Sequence, residues 1–122
     1  MNTSDTHNQR IAKMTFASDY PVYLLKLEKK GRTKKELHQV IECLTSFDHK
    51  KLQELIKENV TFEVFFQLAS LKQNVYLITG VICGHFIEDI ENTLAKQVRY
   101  LDKLVDELAM GRKMGKILRN KG

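Results

Sequence analysis

The chain has 122 residues, 43% of them hydrophobic and 29% charged, and a formal net charge of +5. This is the length of one domain and the balance of an ordinary globular protein. One proline and six glycines exclude a collagen-like, proline-rich or low-complexity chain. The most apolar uncharged stretch, 73–87, is 15 residues long and holds two glycines and a histidine. A membrane-spanning helix needs about 20 apolar residues, so no membrane partner is expected. The first ten residues are polar and lack the apolar run of a secretory signal. Cys43 and Cys83 are too few for a disulfide framework and read as reduced thiols of a cytoplasmic protein.

Residues 1–12 read as a disordered leader, and 13–122 as a single, mainly helical domain. The first helix is expected to open near Asp19 and Pro21, since proline suits a first turn. Tyr20, Tyr23, Leu24 and Leu27 share one face of it, and Gly31 supplies a left-handed stop. Thr33-Lys34-Lys35-Glu36 is a capping box that opens a second helix, with Leu37, Val40, Ile41 and Leu44 as its apolar stripe. Thr45-Ser46-Phe47-Asp48 breaks the stripe, and Asp48 caps a third helix through Leu52, Leu55 and Ile56. Thr61 opens a short fourth helix that carries Phe62, Phe65, Phe66 and Leu68. The connections are a few residues long, so these four helices should pack as a compact group.

From Val75 to Ile87 the chain turns to β-branched and aromatic residues interrupted by glycine. This texture predicts a small extended or β segment near 75–87, one or two short strands with a hairpin around Gly80. Asn92 then caps one long C-terminal helix through Met110, stopped by Gly111. Leu94, Val98, Leu101, Val105 and Leu108 recur along it as a two-heptad seam. Such a seam serves the domain's own core or a homodimer interface, and in a chain this small the two readings can both hold. A short basic tail with Met114, Ile117 and Leu118 follows.

The positive charge is concentrated in two places. Lys26, Lys29, Lys30, Arg32, Lys34 and Lys35 face only Glu28 between residues 26 and 35, and residues 111–122 carry five cations and no acid. The remainder is net acidic. Helices two and three also have the length and turn of a helix-turn-helix, with Asp48 to Asn59 as the recognition helix. On that reading Lys29, Lys30, Arg32, Lys34, Lys35, Lys50 and Lys51 are the nucleic-acid contacts, because lysine and arginine supply phosphate affinity. The plainer reading is a set of solvated faces, with Glu54 and Glu58 diluting the charge.

Three further patterns bear on chemistry. Cys83 and His85 stand two apart between glycines, and on a strand they would point the same way, as a thiol and its base must. They are the candidates for a thiol-dependent activity, although no cysteine-enzyme signature surrounds them. His38 and Glu42 are four apart on a helix, but CxxC, HExxH and EF-hand patterns are missing, so neither a metal site nor a cofactor is expected. His7 and His49 read as solvent-exposed. Gly80 and Gly84 fit neither the P-loop nor the dinucleotide fingerprint.

Three stretches are familiar together: Met14-Thr15-Phe16-Ala17-Ser18 through Tyr20-Pro21-Val22-Tyr23 to Glu28-Lys29-Lys30-Gly31-Arg32-Thr33-Lys34; Leu77-Ile78-Thr79-Gly80-Val81-Ile82-Cys83-Gly84; and Arg99-Tyr100-Leu101-Asp102-Lys103-Leu104 through Ala109 to Lys116-Ile117-Leu118-Arg119. From about residue 10 onward the chain resembles the bacterial family known as domain of unknown function 2200. The resemblance implies a bacterial cytoplasmic protein and carries no assigned activity. The family pattern has Trp and Gly where this chain has Cys43 and Ser46, and Asn-Pro-Asn where it has Lys72-Gln73-Asn74. That departure weakens a functional role for Cys43 and leaves Cys83, inside a family-like motif, as the better thiol to test. The expected function is a non-enzymatic interaction domain whose partner is itself or another protein. The alternatives are nucleic-acid binding and thiol chemistry at Cys83.

Overall fold

The structure is a computed structural model that describes residues 9–71, 75, 77–82 and 84–118. It is mainly helical, in the order α1 (Phe16–Glu28), α2 (Lys34–Thr45), α3 (His49–Lys57), α4 (Phe62–Leu68), β1 (Val81–Ile82), β2 (His85–Phe86), α5 (Thr93–Ala109) and α6 (Met114–Ile117). Residues 9–13 are also helical and bury Ile11, so the body of the domain begins before the expected boundary at residue 13. Residues 1–8 of the expected leader lie outside the described residues.

The second, third and fifth helices begin where their caps place them. Thr33 and Glu36 form the reciprocal capping box, Asp48 accepts from Lys51 N–H at 2.7 Å, and Asn92 from Ala95 N–H at 2.8 Å. Gly31 and Gly111 take the left-handed conformation beyond α1 and α5, at φ 75° and 89°. The start of α1 differs from expectation. The helix opens at Phe16, and Pro21 lies inside it, where proline forfeits an interior hydrogen bond. Thr15 caps this start, accepting from Ser18 N–H at 3.2 Å, and long-range pairing adds to it: Phe16 N–H donates to Val60 C=O (3.0 Å) and Phe62 N–H to Met14 C=O (2.8 Å), around a bridge between Thr15 and Thr61.

The extended segment is a minimal antiparallel hairpin, with Val81 opposite Phe86 and Ile82 opposite His85. Its two-residue connection ends on Gly84 at φ 81°, the positive dihedral such a tight connection demands. The turn is therefore not at Gly80, as expected. Gly80 (φ 102°) precedes β1 instead, donating its N–H to Glu88 (2.8 Å) and accepting from Ile87 N–H (2.9 Å). Lys103 Nζ on α5 donates to Val81 C=O at 3.0 Å and ties the hairpin to the long helix.

An aromatic cluster fills the core between α1 and α4. Phe16 stacks on Phe65 with ring centroids 4.3 Å apart, while Phe47, Phe62 and Phe66 meet Phe65 edge-on. Against it lies α5, which contacts α1, α2, α4, α6 and the hairpin. Val98, Leu101, Val105 and Leu108 are buried there and Leu94 is half-buried against them. These five residues belong to the chain's own core. A helix on the surface of so small a core must turn its apolar stripe inward. Asp102 on the same helix accepts from Tyr23 Oη at 2.8 Å and pairs with Arg99 at 2.9 Å, joining α1 to α5 across the rim.

The link from α2 to α3 turns on Ser46, left-handed at φ 65°, whose hydroxyl donates to Ser70 C=O at 2.6 Å. A β-branched side chain is strained in that conformation and Ser46→Val also removes the hydroxyl. The substitution is expected to destabilise the fold by about 1–3 kcal/mol in urea unfolding. An unchanged midpoint would show that the turn is not held by this residue.

Candidate functional site

The turn at Ser46–Asp48 sets α3 beside α2, and a groove of about 600 Å³ opens along the pair. Lys34, Lys35, His38, Gln39 and Glu42 line it from α2, and His49 and Gln53 from α3. Positions 34, 38 and 42 lie four apart and therefore on one face of α2. His49 is the first residue of α3. The tight turn brings its ring to 5.4 Å from that of His38, and its Nδ1 to 3.7 Å from Glu42 Oε2. One possible ligand atom from each of His38, Glu42 and His49 lies within 4.8 Å of the other two.

His38 is the unusual member. It is 5% exposed on the inward side of the groove, and its Nε2 is hydrogen-bonded to the hydroxyl of Tyr20, which reaches across from α1. Its other ring nitrogen, Nδ1, is buried with no hydrogen-bond partner. Burial holds the imidazole pKa below its ordinary value, and the neighbouring His49 and Lys34 push it the same way. Burial also raises the pKa of the Tyr20 hydroxyl. The site thus combines a neutral buried imidazole, a half-buried carboxylate, an exposed imidazole and two exposed lysines.

The residues singled out from sequence divide around this groove. Lys34 and Lys35 line it, whereas Lys50 and Lys51 are exposed on α3 outside the lining, and Lys29 and Lys30 are exposed at the end of α1. Arg32 is half-buried in a structural role. It pairs with Glu36 at 2.8 Å and donates to Arg112 C=O at 3.3 Å. Cys43 is a free thiol, half-buried. Cys83 and His7 lie outside the described residues, and of His85 only the backbone, paired with Ile82, is described. His49, expected as a bystander, is exposed but stands against Glu42 and His38. The signal for it was the combination of a helical His38/Glu42 pair with a histidine just after a short turn. Tyr20 carried no such signal, because its partner is 18 residues away on another helix.

A family model described as "Uncharacterized protein conserved in bacteria (DUF2200)" matches residues 10–119. The chain belongs to this family. Among solved structures, this DUF2200 protein is similar to one titled "Crystal structure of uncharacterized protein SP1917". The two are 36% identical with a TM-score of 0.84, over 91% of this chain and 92% of the other. No curated protein matches the chain. No helix among the described residues is long and apolar enough to cross a membrane.

Tyr20→Phe leaves buried His38 Nε2 without its partner, and is expected to lower stability by about 1–3 kcal/mol. Urea unfolding of the variant would measure this, and a loss below the experimental error would discount the hydrogen bond. His38 also makes stability depend on pH. With its pKa lowered in the native state, the unfolded chain takes up this proton first. The contribution is therefore full above the ordinary histidine value of about 6.5, and is lost as pH falls through the lowered native value. Stability should decline on acidification below about pH 6.5 and decline less steeply in His38→Gln. Equal slopes in the two proteins would assign the titration to other groups.

Proposed function

We propose that this DUF2200 protein is a non-enzymatic interaction domain, and that its docking face is the groove between α2 and α3. The observation that carries the reading is the pairing of Lys34 and Lys35 with Gln39 and Gln53 around one concavity of about 600 Å³. That volume is in the range of pockets that hold a small ligand or a peptide side chain. Two exposed lysines at its mouth favour an anionic group, and amides beside them supply directional hydrogen bonds. Among the described lining residues none carries a thiol or an aliphatic hydroxyl, and the lysines and amides supply charge and hydrogen bonds for a bound group. An acidic segment of a partner protein is the occupant that fits.

One observation favours a nucleic-acid partner as a second reading. A three-residue link joins α2 to α3, and the second helix keeps Lys50 and Lys51 exposed beside the groove. Phosphate contacts of that kind would engage a flat polyanion across the helices and would leave the concavity itself unused.

Anisotropy with a labelled polyglutamate peptide and with labelled duplex DNA separates the two. Peptide binding is expected to weaken about three- to tenfold in the double variant Lys34→Gln, Lys35→Gln, the loss expected for two exposed ion pairs. DNA binding that falls steeply between 50 and 200 mM salt and is lost in Lys50→Gln, Lys51→Gln would transfer the function to the second reading. Binding of neither probe at low salt would dismiss both.

A further inference from the structure

We propose that His38, Glu42 and His49 form a site for a divalent transition-metal ion, with zinc as the ion that fits. The three residues offer two imidazole nitrogens and a carboxylate oxygen, within 4.8 Å of one another. Two imidazoles with one carboxylate suit zinc and its first-row neighbours and discriminate against magnesium and calcium, which take oxygen donors.

The state of His38 makes the cluster more than a chance grouping. A buried polar atom almost always has a partner, yet Nδ1 of this imidazole has none, although the residue is 95% removed from solvent (5% exposed). Tyr20 engages Nε2, so Nδ1 is the nitrogen left to take an ion. If the Nε2 proton is donated to the Tyr20 oxygen, Nδ1 presents its lone pair. An outer hydrogen bond of this kind orients a metal-bound histidine and sets its tautomer. Glu42 is held on the same helix face, one turn on. His49 supplies the adjustable ligand: its side chain is 61% exposed and needs to move little to close a ligand set now separated by 4.8 Å or less.

Three protein ligands leave one tetrahedral position open. Lys34 and Lys35 beside the groove disfavour a bare cation and favour an anion, or hydroxide, in that fourth position. The proposal goes beyond the docking reading and stands without it, because its probe is the metal alone.

The test is calorimetric titration of the full-length chain with zinc, and with cobalt followed by visible absorption, for the unaltered protein, His49→Ala and Glu42→Gln. One ion per chain is expected, with a tetrahedral or five-coordinate cobalt spectrum. Affinity should fall at least tenfold in each variant, while the unfolding midpoint without metal barely changes in His49→Ala, since that ring is exposed. Tyr20→Phe, which leaves all three ligands in place, should weaken binding about 10- to 100-fold. The proposal is overturned if the unaltered protein takes up neither ion, or if His49→Ala binds as tightly as its parent. It is equally overturned if the cobalt complex shows a thiolate charge-transfer band, which would place the ion on cysteine.

Discussion

The apolar stripe of α5 is the constraint around which the fold is arranged. Leu101, Leu104, Val105 and Leu108 are almost wholly removed from water, and α1, α2, α4, α6 and the hairpin pack on the helix that carries them. A chain of 122 residues has one core to build, and its longest amphipathic helix has to supply the floor of it. The consequence reaches the groove between α2 and α3. Because α2 turns Leu37, Val40, Ile41 and Leu44 inward onto that core, the helix presents Lys34, His38 and Glu42 along its flank, where α3 meets it.

The groove between α2 and α3 therefore follows from packing at two levels. The stripe on α2 fixes which face is hidden, and the left-handed Ser46 fixes how abruptly the chain turns into α3. Ser46 holds a positive φ of 65°, a conformation that glycine adopts without strain. Here the serine hydroxyl adds a bond to Ser70 C=O, which anchors the turn to the segment after α4. His38 sits at the junction of these effects: core on one side, groove on the other, and Tyr20 from α1 closing its inner nitrogen.

Charge on the surface is used unevenly. Of the cations between residues 26 and 35, Lys26 pairs with Asp106 on α5 at 3.1 Å and Arg32 pairs with Glu36, so both tie elements together. Lys34 and Lys35 remain at the groove, and Lys29 and Lys30 remain in solvent at the end of α1. A cluster of like charge in sequence is thus divided in space between structural links and available cations.

Local rules determined much of the fold in advance. The capping box at Thr33–Glu36, the Asp48 and Asn92 caps, the stops at Gly31 and Gly111 and the stripes of α2 and α5 were legible because each depends on residues within a turn or two. The mainly helical class and the short extended segment followed from the same periodicities. Tertiary structure decided what depends on partners distant in sequence. The bridge from Thr15 to Thr61 joins the start of α1 to the start of α4, a pairing 46 residues apart in sequence, beside the local Thr15 cap. Packing against α1, α2 and α4 took Leu94 to Leu108 into the core, a choice that a heptad seam leaves open. The candidate site is of the second kind. His38 and Glu42 declared themselves as a helical pair, but His49 joins them only through the direction of a turn, and Tyr20 only through the docking of another helix. Periodicity reports which residues share a face; it carries no information about which face of a neighbouring helix will lie against it.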